Sequence, residues 1–200
     1  MTRLASTRLP APERRQALVD AALRVFMARS YRGATTAEIA REAGVSEPIL
    51  YRHFPSKRDL YFACLDRAWA SLRELWQAAM TTESEPLVAL GRCYLDLKER
   101  KLLLAELWMQ AVTEAAEDAE IRDHLRSHVR EVHDFVAAAI REAQQRGGVA
   151  KERDPEAEAW VFLAMGLLAT LGRRVGTLLS EEDFKRIRES RIQWMTGTAR

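Results

Sequence analysis

The chain of 200 residues has few of the residues that punctuate structure. Nine glycines and six prolines are too few for the many tight turns of an all-β fold. Ala, Leu, Arg and Glu, all strong helix formers, are abundant instead, so the expected class is all-α. Cysteine is scarce too. Cys64 and Cys93 stand far apart in helical contexts, which excludes a disulfide framework and fits reduced core thiols. No apolar signal core opens the chain. The longest apolar run, 157–171, is broken by Glu158 and Gly166 and is short for a bilayer span. A soluble cytoplasmic protein with no membrane partner is the expectation. With 48% hydrophobic and 30% charged residues, a buried core is affordable and disorder is excluded.

Net charge is also nearly absent, at +2, but it is unevenly spread. Residues 1–60 carry 11 Lys/Arg against 6 Asp/Glu, whereas the remaining 140 carry 20 against 23. A basic excess confined to one end points to a polyanion partner for that end, or to a solvated basic surface.

Apolar spacing and stop signals divide the chain into about nine helices. After a flexible basic arm over 1–11, a first helix starts near Pro12, carries Leu18, Ala21, Ala22, Val25 and Phe26 on one stripe, and ends before Tyr31-Arg32-Gly33. Thr35 with Glu38 forms a capping box that opens a short helix bearing Ile39, Ala40 and Ala43 and closed by Gly44. Ser46 caps a third helix that Phe54-Pro55 cuts short, and Ser56 caps a fourth running towards Met80. Pro86 suits the first turn of a fifth helix carrying Leu87 to Leu97, and an apolar segment over 102–112 makes the sixth. Spaced apolar residues from Ile121 to Ala143 make a long seventh helix that ends at Gly147-Gly148. Asp154-Pro155 opens the eighth, over 156–173, and Ser180 with Asp183 caps the ninth.

Residues 35–54, TTAEIAREAGVSEPILYRHF, spell a short capped helix, a glycine turn and a second short helix. This is helix-turn-helix grammar, in which Gly44 is required to adopt positive φ and Ala40 and Ala43 let the helices approach. Val45, Leu50 and Phe54 would pin the second helix inward, leaving Glu47, Pro48, Ile49, Arg52 and His53 outward. With the continuation SKRDLY, the stretch resembles the TetR family of regulators. Thr35, Thr36, Ile39, Ala40, Ala43, Gly44, Val45, Ser46, Leu50, Tyr51, His53, Phe54, Lys57 and Leu60 carry the resemblance.

The resemblance implies that Thr36, Tyr51, His53 and Lys57 lie around the backbone of double-stranded operator DNA, and that Ser46 to Arg52 enter its major groove. The chemistry agrees. Ser46 starts a helix with free N–H groups, Tyr51 offers a hydroxyl and Lys57 a charge, all suited to phosphate. Arg52 could pair with guanine, Glu47 could accept from cytosine N4, and Ile49 could pack on a thymine methyl. Pro48 falls near the second helical position, where its missing N–H costs little.

The resemblance further implies that the fifth to seventh helices, with parts of the fourth and eighth, enclose a pocket for a small-molecule effector. It also implies that the last two helices pair across a homodimer axis. Trp69, Trp76, Cys93, Tyr94, Trp108, Met109, His128, Val132, Phe135 and Trp160 supply large or adaptable side chains for a pocket, or for solid core. Five tryptophans, and an acidic C-terminal part without clustered arginines, favour a flat hydrophobic effector. Leu163, Leu167, Thr170, Leu171, Phe184, Ile187, Arg191, Trp194 and Met195 are the expected interface.

His124 and His128 stand four apart, a metal-sharing spacing, but no Cys, Asp or Glu pattern nearby completes a site. No metal and no cofactor are therefore assigned. Glu99, Glu106 and Glu114 read as helix surface, not as catalytic carboxylates. The domains are then the arm, a helix-turn-helix unit over 12–56 and an effector and dimerisation unit over 57–200. The combined expectation is a non-enzymatic repressor released by its effector. A helical-bundle enzyme or small-molecule carrier with an incidental helix-turn-helix is the alternative.

Overall fold

Capping chemistry sets most of the helix boundaries in the computed structural model, which describes residues 10–82, 102–176 and 178–197. These form α1 (Ala11–Gly33), α2 (Thr36–Glu42), α3 (Glu47–His53), α4 (Lys57–Thr82), α5 (Leu102–Ala115), α6 (Ala119–Gln145), α7 (Pro155–Arg174) and α8 (Glu181–Thr196), with no strand among the described residues. The helix expected over 86–97 lies outside them.

Both expected capping boxes are present, at Thr35 with Glu38 and at Ser180 with Asp183. Asp154 caps α7 ahead of Pro155. The Asp118 carboxylate accepts from the backbone N–H groups of Glu120 and Ile121 and so opens α6, a start that the polar stretch 113–120 did not reveal. Ser46 behaves differently from its expected role: its backbone opens α3, but its side chain makes no capping bond. The first helix runs through Tyr31 to Gly33, yet it is interrupted one residue earlier by Ser30 at φ 65° and ψ 170°. Gly44 adopts φ 67°, as the turn requires.

The first three helices wrap one end of the core. Leu18, Phe26, Ile39, Leu50 and Phe54 are fully or almost fully buried together with Leu60 and Tyr61 from α4. The same core continues without a break through Cys64, Leu65, Trp69 and Trp76 to Leu107 of α5, Val132 and Val136 of α6 and Leu163 of α7. Polar contacts fasten the head to the bundle. The Arg32 guanidinium bonds to Glu114 at 2.7 Å and Glu117 at 2.6 Å, Arg58 pairs with Asp118 and Glu120, and the Tyr61 hydroxyl donates to the Leu107 carbonyl at 3.1 Å. Glu114 is therefore not the surface residue expected. It is buried at α5's end because Arg32 reaches in from α1 to neutralise it. Burial also pushes the Cys64 thiol up, away from its reactive thiolate form. No helix among the described residues is long and apolar enough to cross a membrane.

Candidate nucleic-acid interface and effector core

The helix-turn-helix closes through side chains at its outer edge as well as through its core. Thr36 donates its hydroxyl to Glu47 at 2.6 Å. With that proton used, the 3.1 Å contact between Thr36 and Tyr51 runs from the Tyr51 hydroxyl to the Thr36 oxygen. The start of α2 is thereby tied to both ends of α3. Tyr51 remains 46% exposed, and Ser46, Pro48 and Arg52 lie exposed beside it, with Ile49 and His53 half-buried. Glu47 is committed to Thr36, which leaves Arg52 and Ile49 as the outward side chains best able to meet base edges.

Lys57 holds two positions at once. Its ammonium donates to the carbonyls of Tyr31 at 2.9 Å and Ala34 at 3.1 Å and lies 4.6 Å from the Tyr31 ring centroid. It thus seals the joint between α1 and α2 while one of its three N–H groups is left to meet solvent or phosphate.

Farther along α4, Trp69 and Trp76 meet Phe135 of α6 and Phe162 of α7 in a cluster with ring centroids 5.6–5.9 Å apart. The indole N–H groups of Trp69 and Trp76 are buried and have no hydrogen-bond partner among the described residues. Such donors cost free energy unless something supplies an acceptor. Trp108 is buried on α5 and donates its indole N–H to Nδ1 of His128 at 3.2 Å. Burial holds the His128 imidazole below its ordinary range, so it is neutral. Val132 is buried alongside and Met109 is half-buried, whereas Cys93 and Tyr94 lie outside the described residues.

Several expected placements are corrected. Trp160 is 43% exposed on the outer side of α7, its ring against His133 at 4.3 Å and near Arg130, away from the cluster. Leu163, Thr170 and Met195, expected at a two-fold face, are buried inside the protomer, and Thr170 donates to the Gly166 carbonyl. Arg191 pairs with Glu158, which also accepts from the Trp194 indole at 2.8 Å. Leu163 and Thr170 turn inward because α6 and α5 pack along α7, and Arg191 and Met195 because the end of α8 meets the start of α7 and the segment before it, approaches that helix periodicity does not encode. Phe184 and Ile187 are half-buried, and Leu167, Leu171 and Trp194 do face outward. The structure adds Phe162 to the ring cluster and brings Asp66 of α4 beside His124 and His128.

A glycine-turned pair of short helices with an exposed second member, held on a larger helical bundle, defines a helix-turn-helix DNA-binding regulator. Residues 18–64 match the family of bacterial regulatory proteins, tetR family, and residues 83–167 match the BetI-type transcriptional repressor C-terminal family. The HTH-type transcriptional repressor BepR of Brucella suis is 31% identical over 166 residues, which are 80% of this chain and 79% of BepR. The protein belongs to the tetR family of transcriptional regulators. A solved TetR-family regulator from Rhodococcus sp. has the same fold, with a TM-score of 0.80 at 24% identity over 92% of this chain and 99% of its own. A transcriptional regulator from Saccharomonospora viridis, solved in complex with choline, gives 0.73 at 24% identity over 90% and 93%.

Proposed function

We propose that this regulator is a cytoplasmic homodimeric repressor that places two copies of α3 in successive major grooves of its operator and leaves when a small effector enters the bundle. The knot of Thr36, Glu47 and Tyr51 carries the DNA part. It fixes α3 against α2 while presenting Tyr51, Arg52 and the α3 N-terminus outward, the arrangement that phosphate positioning and base reading need. The units follow as a basic arm over 1–11, a reading unit over 12–56 and an effector and dimerisation unit over 57–200. No catalytic step is assigned to any residue.

The effector is a small, predominantly apolar compound carrying at least one hydrogen-bond acceptor. Trp69, Trp76, Phe135 and Phe162 supply apolar rings, and the two unpartnered indole N–H groups supply the donors. Because the Saccharomonospora relative holds choline, and aromatic faces attract quaternary ammonium groups, choline-like compounds belong in the first screen beside planar hydrophobic ones. α4 links effector to operator. In its 26 residues, Trp69 and Trp76 follow the Lys57 joint with α1 and α2 by about 18 and 28 Å along the axis, so displaced rings tilt the reading unit.

Selecting bound fragments from genomic DNA, followed by anisotropy titration, tests the DNA part; no enrichment over random fragments overturns it. For the effector part, compounds that raise the melting temperature should also lower operator affinity, since binding the native state stabilises it by mass action. Compounds that stabilise the protein without touching DNA binding count against effector relief.

A further inference from the structure

Outside the reading unit and the ring cluster, two groups of metal-ligating side chains stand out: Asp66, His124 and His128, and His133, Asp134 and Glu156. The second is saturated by protein. Nδ1 of His133 lies 3.0 Å from Asp134, Nε2 lies 3.1 Å from the Glu156 carbonyl, and the Glu156 carboxylate is paired with Arg141. A carbonyl only accepts, so this Nε2 donates its proton to Glu156, and metal binding there would strip the carbonyl of that bond.

The first group is different. His124 and His128 are one turn apart on α6, with their rings stacked at 5.6 Å, and both turn Nε2 towards a single carboxylate oxygen of Asp66 on α4. The separations are 3.0 Å for His124 and 3.5 Å for His128. Metal bonds of about 2.0–2.2 Å place neighbouring tetrahedral ligands about 3.3–3.6 Å apart, which matches the His128 separation and needs only a few tenths of an ångström more at His124. The His128 side chain is only 4% exposed and its Nε2 has no hydrogen-bond partner among the described residues. Phe62 stacks on the His124 ring at 4.1 Å and fixes its plane. Asp66 is exposed, so the outer side stays open to water.

We propose that Asp66, His124 and His128 form a site for one borderline divalent transition ion such as Zn²⁺, opposed by Trp108. Two imidazoles and one carboxylate are a donor set for Zn²⁺, Co²⁺ and Ni²⁺ and not for Mg²⁺ or Ca²⁺, which take oxygen. The opposition comes from the tautomer. Trp108 donates its N–H to Nδ1 of His128, so the proton of this neutral ring sits on Nε2, the atom that must bind the metal. Coordination through Nε2 moves that proton to Nδ1, where it faces the indole N–H and breaks the Trp108 bond. The ring stays neutral throughout. Occupancy is thereby coupled to the position of Trp108 on α5, the helix whose Glu114 holds Arg32 of the reading unit.

The test uses the full chain, freed of tags and dialysed against chelator. Co²⁺ titration followed by visible absorption, and Zn²⁺ titration by calorimetry, should each saturate at one ion per chain. Asp66→Asn and His124→Asn, both away from the fully buried core, should weaken binding at least tenfold. Trp108→Phe, which removes the opposing N–H, should tighten it at least threefold. In wild-type protein, Zn²⁺ should shift the Trp108 indole proton resonance upfield as its bond breaks, a readout that stands even if the Phe variant folds poorly. No saturable ion binding overturns the site, as does binding that survives both ligand variants. An unmoved Trp108 resonance, or unchanged affinity in a folded Trp108→Phe, overturns the opposition.

Discussion

Tyr51 and Lys57 each serve the fold and, in the proposed function, the DNA partner as well. Tyr51 donates its hydroxyl to Thr36 yet is exposed, and Lys57 commits two N–H groups to the C-terminal end of α1 while keeping its charge. Tyr51→Phe should weaken binding to cognate and mismatched operators alike, because positioning contacts carry no sequence information. Lys57→Ala should do the same, flatten the salt dependence by about one unit, and also lower the melting temperature, which Tyr51→Phe should barely change. Anisotropy titration over a salt series, with thermal denaturation alongside, checks the pair. Ser30 makes a separate point. At φ 65° and ψ 170° it occupies a region open almost only to glycine, and Ser30→Gly should stabilise the protein by about 1 kcal/mol in urea denaturation. Motif residues such as Thr36 and Tyr51 were legible from the chain. The commitment of Glu47 to Thr36 was not, since the two are eleven positions apart and meet only when α2 folds against α3.

Among the elements, α6 shows what a cap contributes. Its N-terminus rests on Asp118, whose carboxyl is held below the usual range first by the Ile121 backbone N–H and then by Arg58. A carboxyl lowered in the fold lends stability that is present above its unfolded value and lost as pH falls through the folded one. Asp118→Ala should therefore cost about 0.5–2 kcal/mol at neutral pH. The difference from wild type should shrink below about pH 4, as Asp118 takes up its proton. Urea melts of both proteins between pH 7 and pH 3 check this. Helix existence was readable for α1 to α8, from apolar stripes and stop residues in most and from the apolar segment over 102–112 in α5. The cap at Asp118 was hidden, since a run holding Glu114, Glu117, Asp118 and Glu120 offers several equivalent acids and only the chain's path selects one.

At the scale of the whole molecule, the proposed homodimer brings two reading units onto one operator. Leu167, Leu171, Val175, Ile192 and Trp194 lie exposed on α7, on α8 and at the C-terminal end of α7, an apolar surface that a second copy would cover. Leu167→Glu is the clean probe, because Trp194 also serves Glu158 within the protomer. It should halve the mass seen by light scattering and abolish operator binding together. A stable wild-type monomer at micromolar concentration would defeat the dimer reading. At the joint between reading unit and bundle, Arg32→Ala leaves Glu114 buried without its partner. It should lower the melting temperature, and Glu114→Gln in the same chain should recover part of the loss, because a neutral amide is less costly to bury than a lone carboxylate.

Local chemistry was enough for the helical class, the capped turn around Gly44 and the helix-turn-helix motif, since each depends on residues within one or two turns of each other. Periodicity also marked Trp76 and Val132 as interior, and Trp69 and Trp108 were expected in a pocket or in solid core. It could not separate inward from outward on α7, where most of the circumference is apolar, so Leu163 and Thr170 were expected at a surface that they do not reach. Contacts between distant segments depend on how the helices cross. The reach of Arg32 to Glu114, the pairing of Arg191 with Glu158 and the meeting of Asp66 with His124 and His128 join residues 33 to 82 positions apart. No spacing rule links such partners, because their proximity is a property of packed surfaces and not of the chain's local geometry.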